Sequence, residues 1–214
     1  MNKFNELIEK IGGKEGFFFV QIGANDGVMA DPLCEYIKKY NWSGIMVEPV
    51  PHLYERLKKN HEARDNLTFR NVAISKDGSS MKFYSEREDK PTRQGSGLSS
   101  FSKDHILKFA RPERARMLKT EFNKYFKEEE IKTITFDSLV EGVDYIDLLH
   151  IDVEGYDLEI IKSIDFNKII PSVILYEYNN LGKNNGMDYL GDLGYTCEKI
   201  NRCDVLATHE ALQK

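Results

Sequence analysis

Short, unbroken apolar runs alternate along this chain with segments that are apolar on one side only. Phe17–Ile22 is the first such run, and its continuity predicts a strand buried on both faces of a parallel sheet. From about 29 to 40, Leu33, Tyr36, Ile37 and Tyr40 fall on one side of a predicted helix. Gly44–Val47 predicts a second strand that stops at Glu48-Pro49. Pro51–Lys59 then reads as a helix starting at or just after proline, with Leu53 and Leu57 four apart. Leu67–Ile74 predicts a third strand, and Lys76-Asp77-Gly78 a hairpin turn into Ser80–Tyr84. The rhythm fails over about 85–130, where glycine, serine and charge lead into a charged helical piece at Ile106–Lys127. It resumes with strands at Ile131–Phe136 and Leu148–Val153, a helix at Tyr156–Ser163, and a strand at Pro171–Tyr178. A short helix at Met187–Leu193 and an antiparallel pair, Thr196–Asn201 with Asp204–Thr208, close the pattern.

Alternating β and α units predict an α/β fold with a mainly parallel sheet between two helical layers. In such folds the ligand crevice lies beyond the C-terminal strand ends. Four acidic residues fall there: Asp26 after the first strand, Glu48 after the second, and Asp152 with Glu154 after a later one. The whole chain, 1–214, reads as one domain, since 214 residues suffice for one sizeable core and little more. A net charge of −5 implies no broad basic face for nucleic acid or anionic lipid. No apolar stretch is long enough to span a bilayer, and the N-terminal stretch reads as a polar, helix-patterned lead-in. Cys34, Cys197 and Cys203 are too few and scattered for a disulfide framework, which fits a cytoplasmic protein.

The turn at Gly23-Ala24-Asn25-Asp26-Gly27 carries the first chemical signal. Glycine tolerates positive φ and lets a ligand approach the backbone, so the turn reads either as tight geometry or as a binding loop. Glu48 lies roughly 20–25 residues further on, the interval at which an acidic side chain meets both hydroxyls of a ribose. No third glycine completes a dinucleotide fingerprint, and no Gly-Lys-Ser/Thr completes a phosphate loop. An acidic Asp26 would repel a pyrophosphate and suit a cofactor carrying an ammonium and a sulfonium. S-adenosylmethionine is therefore favoured over NAD or ATP.

The chain resembles the FkbM family of class I, Rossmann-like methyltransferases. The matching stretches are VQIGANDG (Val20–Gly27), VEPVPHLYERLKKN (Val47–Asn60), NVAIS (Asn71–Ser75), ITFDSL (Ile134–Leu139) and HIDVEGYDLEIIKSID (His150–Asp165). That resemblance implies a seven-stranded sheet whose last strand inserts antiparallel. It implies that Gly23, Asn25, Asp26 and Gly27 line the methionine moiety of the cofactor, that Glu48 holds its ribose, and that Ala73 and Ile74 lie against its adenine. Asp152 would sit beside the methyl sulfonium. O-methylation, often of sugar or polyketide-type hydroxyls, is the implied activity. His150 departs from the pattern, where a lysine is frequent.

A sugar hydroxyl is a poor nucleophile, so a general base or a metal ion should help to remove its proton. Asp152 and His105 are the candidate catalytic residues, with Glu154 supporting the turn at Gly155. Asp152, Glu177 and Asn179 would form an oxygen-rich site for a divalent metal. The insertion at about 85–130 is expected to form a lid over a small-molecule acceptor. Its Ser96, Ser99 and Ser100 would meet hydroxyls, and Arg111, Arg114 and Arg116 either a phosphate or solvent. Two other functions stay open at this point: a binding or regulatory protein on the same fold without catalysis, and an NAD-linked oxidoreductase. Homo-oligomerisation is also open.

Overall fold

The computed structural model describes residues 3–89, 99–110, 112–178 and 186–213. Helix α1 (Lys3–Ile11) is followed by β1 (Phe18–Ile22), α2 (Cys34–Tyr40), β2 (Ser43–Val47), α3 (Pro51–Asn60) and β3 (Leu67–Arg70). Next come β4 (Ala73–Ile74), β5 (Met81–Glu86), α4 (Lys103–Phe109), α5 (Pro112–Tyr125), β6 (Phe126–Ile131), β7 (Thr133–Ile134) and α6 (Phe136–Leu139). The last group is β8 (Leu148–Ile151), α7 (Asp157–Ser163), β9 (Val173–Glu177), α8 (Met187–Asp192), β10 (Tyr195–Lys199) and β11 (Asp204–His209).

Seven strands form one sheet in the order β10-β11-β9-β8-β1-β2-β3. Every neighbouring pair from β9 to β3 is parallel, while β11 runs antiparallel to both β9 and β10. The last strand thus inserts antiparallel, as expected. Period-two alternation divides the side chains of the central strands between two cores. Val20, Ile22, Val47 and Ile151 meet Phe136, Leu139, Ile160, Ile161 and Leu190 from α6, α7 and α8. Phe19, Met46, Leu148 and Leu175 meet Phe4, Ile8, Ile37 and Leu57 from α1, α2 and α3. The result is a three-layer αβα fold of Rossmann type.

Four boundaries differ from the sequence pattern, each for a local reason. The helix expected from 29 begins only at Cys34. Ala30 has left-handed backbone (φ 58°), and Pro32 disfavours helical geometry at Asp31. The third strand breaks after Arg70, where the Asn71 side chain donates to the carbonyls of Glu48 (2.8 Å) and Pro49 (3.1 Å). Ala73-Ile74 therefore leaves the main sheet and pairs in parallel with Thr133-Ile134. That second strand is also cut short, because Thr135 caps α6 by accepting from Ser138 N at 3.1 Å.

The fourth difference is the charged segment. Its helix ends at Tyr125, and Phe126–Ile131 is a strand antiparallel to β5. Two adjacent glutamates meet Lys82 (Glu128, 2.7 Å) and Ser85 (Glu129, 2.7 Å) across the ladder. Ile106, Leu118, Phe122 and Phe126 give this segment its own small core. Among the described residues no helix is long and apolar enough to cross a membrane.

Candidate cofactor and active site

Parallel register places two polar positions, Gln21 and His150, at one height. Gln21 on β1 pairs with Met46 on β2 and with His150 on β8. Two residues further on, and so on the same face, Gly23, Glu48 and Asp152 mark three neighbouring strand ends. Backbone bonds hold these ends together: Gly23 N donates to Val47 O (3.0 Å), Asp152 N to Ile22 O (2.9 Å) and Glu48 N to Arg70 O (3.0 Å). Gly23 has φ 86°, and a Cβ there would overlap the carbonyl of Asp152. Glycine is required at this position by backbone, whatever ligand it meets.

A cavity of about 200 Å³ opens over these ends. Gly23, Asn25, Glu48, Ala73, Ile74 and Asp152 all line it, so six of the expected cofactor residues converge. Glu48 is buried; its Oε2 accepts from Asn25 N at 2.9 Å and its Oε1 from Val50 N at 2.8 Å. Each oxygen keeps a lone pair for a ligand. Burial pushes this carboxyl up to about 7, against the two backbone donors that lower it. Asp152 lines the cavity and keeps access to solvent, although protein atoms crowd round its carboxyl. Burial, followed by the charges of Glu154, Glu177, Asp204 and Asp31, pushes it up to about 8.

Asp26 and Gly27 do not line the cavity. The Asp26 carboxylate turns back to accept from Val28 N (3.0 Å) and Met29 N (2.8 Å), shaping the loop after the turn. Gly27 has φ 70° and leaves room for α3, since a Cβ would come 2.5 Å from Leu57 and 2.7 Å from His61. His105 is also outside the lining. It is buried, its ring lies against Gly155, and its Nε2 sits 3.1 Å from Glu154 Oε2. Ser100 Oγ donates to the Glu154 carbonyl at 2.8 Å. The insertion thus grips the loop after β8 from behind, and its Phe101 and Ser99, with Phe83 from β5, supply cavity wall. Ser96, Arg111 and Asn179 lie outside the described residues; Arg114 pairs with Glu86 at 3.2 Å.

Three of the four non-glycine residues with left-handed backbone among the described residues are Asn25 (φ 51°), Ala30 (φ 58°) and Glu154 (φ 53°). All three line this one cavity. Strain of about 1–3 kcal/mol per residue persists where surrounding structure enforces it, and it gathers at functional sites.

The family model of the methyltransferase FkbM domain matches residues 21–197, from within β1 to β10. The chain belongs to the FkbM family of methyltransferases. Its fold is similar to Methyltransferase FkbM from Methylobacillus flagellatus KT, with a TM-score of 0.51 at 12% identity, over 91% of this chain and 44% of that one. A METTL16 MTase domain gives a TM-score of 0.50 at 13% identity, over 96% of this chain and 65% of that one. This chain spans less than two thirds of the length of either structure, and at such identities the likeness speaks to fold alone. No curated protein sequence matches the chain.

In this FkbM-family site the structure adds residues that the sequence did not single out for binding. Gln21 is buried and its amide nitrogen reaches Asp31 Oδ1 (3.1 Å) and His150 Nδ1 (3.2 Å). All three line the cavity. The available signal was a polar residue within each apolar strand run, Gln21 in FFFVQI and His150 in LLHI. Glu177 does not line the cavity, and among the described residues no group of three or more His, Cys, Asp or Glu is placed to hold a metal ion.

Proposed function

We propose that the chain is an S-adenosylmethionine-dependent methyltransferase that methylates a hydroxyl of a sugar or related small molecule. The observation that carries this reading is Glu48: a buried carboxylate at the tip of β2, pinned by Asn25 N and Val50 N, with its remaining lone pairs on the cavity wall. That is the donor-seeking pair a ribose diol satisfies. Ala73 and Ile74 offer an apolar surface beyond it for the adenine, and the unpaired acceptors of Gln21 and Asp31 await donors on the other side. The donor set therefore fits the cofactor.

When bound, S-adenosylmethionine supplies an electrophilic methyl group on a sulfonium. Asp152 holds a proton at neutral pH in the free chain, since its carboxyl titrates near 8. A neighbouring cation favours the ionised form, which leaves Asp152 ready to accept the proton of an acceptor hydroxyl. Glu154, held by His105 and Ser100, fixes the loop that carries Asp152. His105 acts in this scheme as a positioning residue for Glu154. Phe83, Phe101 and Ser99 line the cavity, which supports reading the insertion as an acceptor-side lid.

The sign of the pH dependence follows. Glu48 and Asp152 bind protons in the free chain, and a bound cation with ribose hydroxyls favours their carboxylates. Binding therefore releases protons, and affinity rises with pH until both free groups are ionised. Calorimetric affinity for S-adenosylmethionine should tighten by about tenfold or more between pH 6 and pH 8. S-adenosylhomocysteine, which lacks the sulfonium charge, should show a shallower rise.

The reading is tested by tritium transfer from methyl-labelled S-adenosylmethionine to a panel of free and activated sugars. Label should enter an alkali-stable methyl ether, and Asp152→Asn should slow transfer by about 100-fold or more. Label found only in alkali-labile esters or in amines would overturn the hydroxyl assignment. A wild type that binds cofactor without transfer to any acceptor would favour the non-catalytic alternative.

A further inference from the structure

Gln21 is 1% exposed, and its amide nitrogen lies between two atoms that need a donor, Asp31 Oδ1 and His150 Nδ1. Turning the amide over would set oxygen against a carboxylate oxygen, so its orientation is fixed. The consequence is that Gln21 Oε1 is buried without a hydrogen-bond partner among the described residues. Asp31 is in the same position on one side only. Its Oδ1 accepts from Gln21 Nε2 and from Leu33 N at 2.8 Å, while Oδ2 is buried and has no hydrogen-bond partner among the described residues. Leaving such acceptors unmet costs about 1–3 kcal/mol each. The chain maintains this arrangement with a strained residue, Ala30 at φ 58°, directly before Asp31, and with Pro32 directly after it. Both orphaned acceptors belong to side chains that line the cavity.

What they lack is donors, and a charged donor meets a carboxylate best. A carboxylate or phosphate would be repelled, and a lone hydroxyl has only one proton to give. An ammonium has three donors and the complementary charge. Position agrees with this chemistry. Glu48 is on β2 and Ala73-Ile74 follows β3, which flanks β2 on one side, whereas Gln21 and His150 are on β1 and β8, on its other side. A nucleoside seated on Glu48 would direct its amino-acid tail toward Gln21.

We propose that Gln21 Oε1 and Asp31 Oδ2 together seat the ammonium at the amino-acid end of the cofactor. The assignment rests on the S-adenosylmethionine reading above and moves the anionic contact from Asp26, whose carboxylate faces its own loop, to Asp31. His150, uncharged because burial lowers it to about 4, accepts the Gln21 amide at Nδ1 in the tautomer that carries its proton on Nε2, and so holds that amide in place.

The test compares S-adenosylhomocysteine with 5′-methylthioadenosine, which has the same nucleoside and no ammonium, by titration calorimetry on wild type and Asp31→Asn. Asp31→Asn should weaken S-adenosylhomocysteine roughly 10- to 100-fold and leave 5′-methylthioadenosine within about twofold. Equal loss for both ligands would make Asp31 a structural residue and overturn the assignment, as would no loss for either. Should Asp31→Asn fail to fold, the wild type still decides: desamino-S-adenosylhomocysteine should bind roughly 10- to 100-fold more weakly than the parent, and equal affinity would refute the ammonium seat. A wild type that binds 5′-methylthioadenosine but fails these comparisons removes only this assignment. One that binds neither nucleoside removes the cofactor reading and this assignment together.

Discussion

Gly23→Ala is expected to abolish cofactor binding and to destabilise the chain. Two effects act together at this residue. At φ 86° any side chain is strained, by about 1–2 kcal/mol. The new Cβ would also overlap the carbonyl of Asp152, a backbone atom that no rotamer change can move. Relief requires the ends of β1 and β8 to part, although Asp152 N is bonded to Ile22 O at 2.9 Å. A total cost of about 2–4 kcal/mol is reasonable for strain plus lost backbone bonding. That corresponds to a melting temperature lower by roughly 5–15 °C in a chain of this size. Because the same shift moves Asp152 relative to Glu48, affinity for S-adenosylhomocysteine should fall by about 100-fold or more. Thermal melting and calorimetry check both parts. An alanine variant with wild-type melting and affinity would mean that the strand ends are not held as described.

Glu48→Gln carries the second large effect, and it isolates chemistry from packing. Glutamine fills the same volume, so the cavity wall should survive. Its amide presents one NH₂ where two oxygens now face Asn25 N and Val50 N, so one backbone donor loses its acceptor. It also offers one oxygen instead of two to a ribose diol. Together these should weaken S-adenosylhomocysteine by roughly 30- to 300-fold, with the fold retained by circular dichroism. Glu48→Ala should cost more stability, since it orphans both donors. Affinity unchanged in Glu48→Gln would separate Glu48 from the nucleoside.

The central strands were readable because a strand covered on both faces has no polar side to disguise it. Phe18–Ile22, Leu148–Ile151 and Val173–Glu177 all sit within the expected runs. In the antiparallel closing pair only β11 shares that reason, through buried Val205, Leu206 and Ala207, whereas β10 is an edge strand with mostly exposed or half-buried residues. The insertion was not. Phe126–Ile131 carries three consecutive glutamates that meet Lys82 and Ser85 across a ladder, a pairing invisible without its partner strand. The breaks at Asn71 and Thr135 depend on side chains that bond to backbone, which periodicity does not register.

The site divides in a similar way. Gly23, Asn25 and Glu48 were visible because local turn geometry and a spacing along the chain announce them. Asp26 was misleading, since its carboxylate serves Val28 N and Met29 N rather than the cavity. Gln21, Asp31 and His150 come from a strand, a loop and another strand 129 residues from the first. Only parallel register brings them together.

The most direct test of the account is titration calorimetry of wild-type chain with S-adenosylhomocysteine at pH 8. It predicts one site per chain with a dissociation constant near the micromolar range, about −8 kcal/mol, and proton release when the titration is repeated in buffers of different ionisation enthalpy. Absence of binding heat in every buffer would contradict the cofactor assignment on which the proposed function stands.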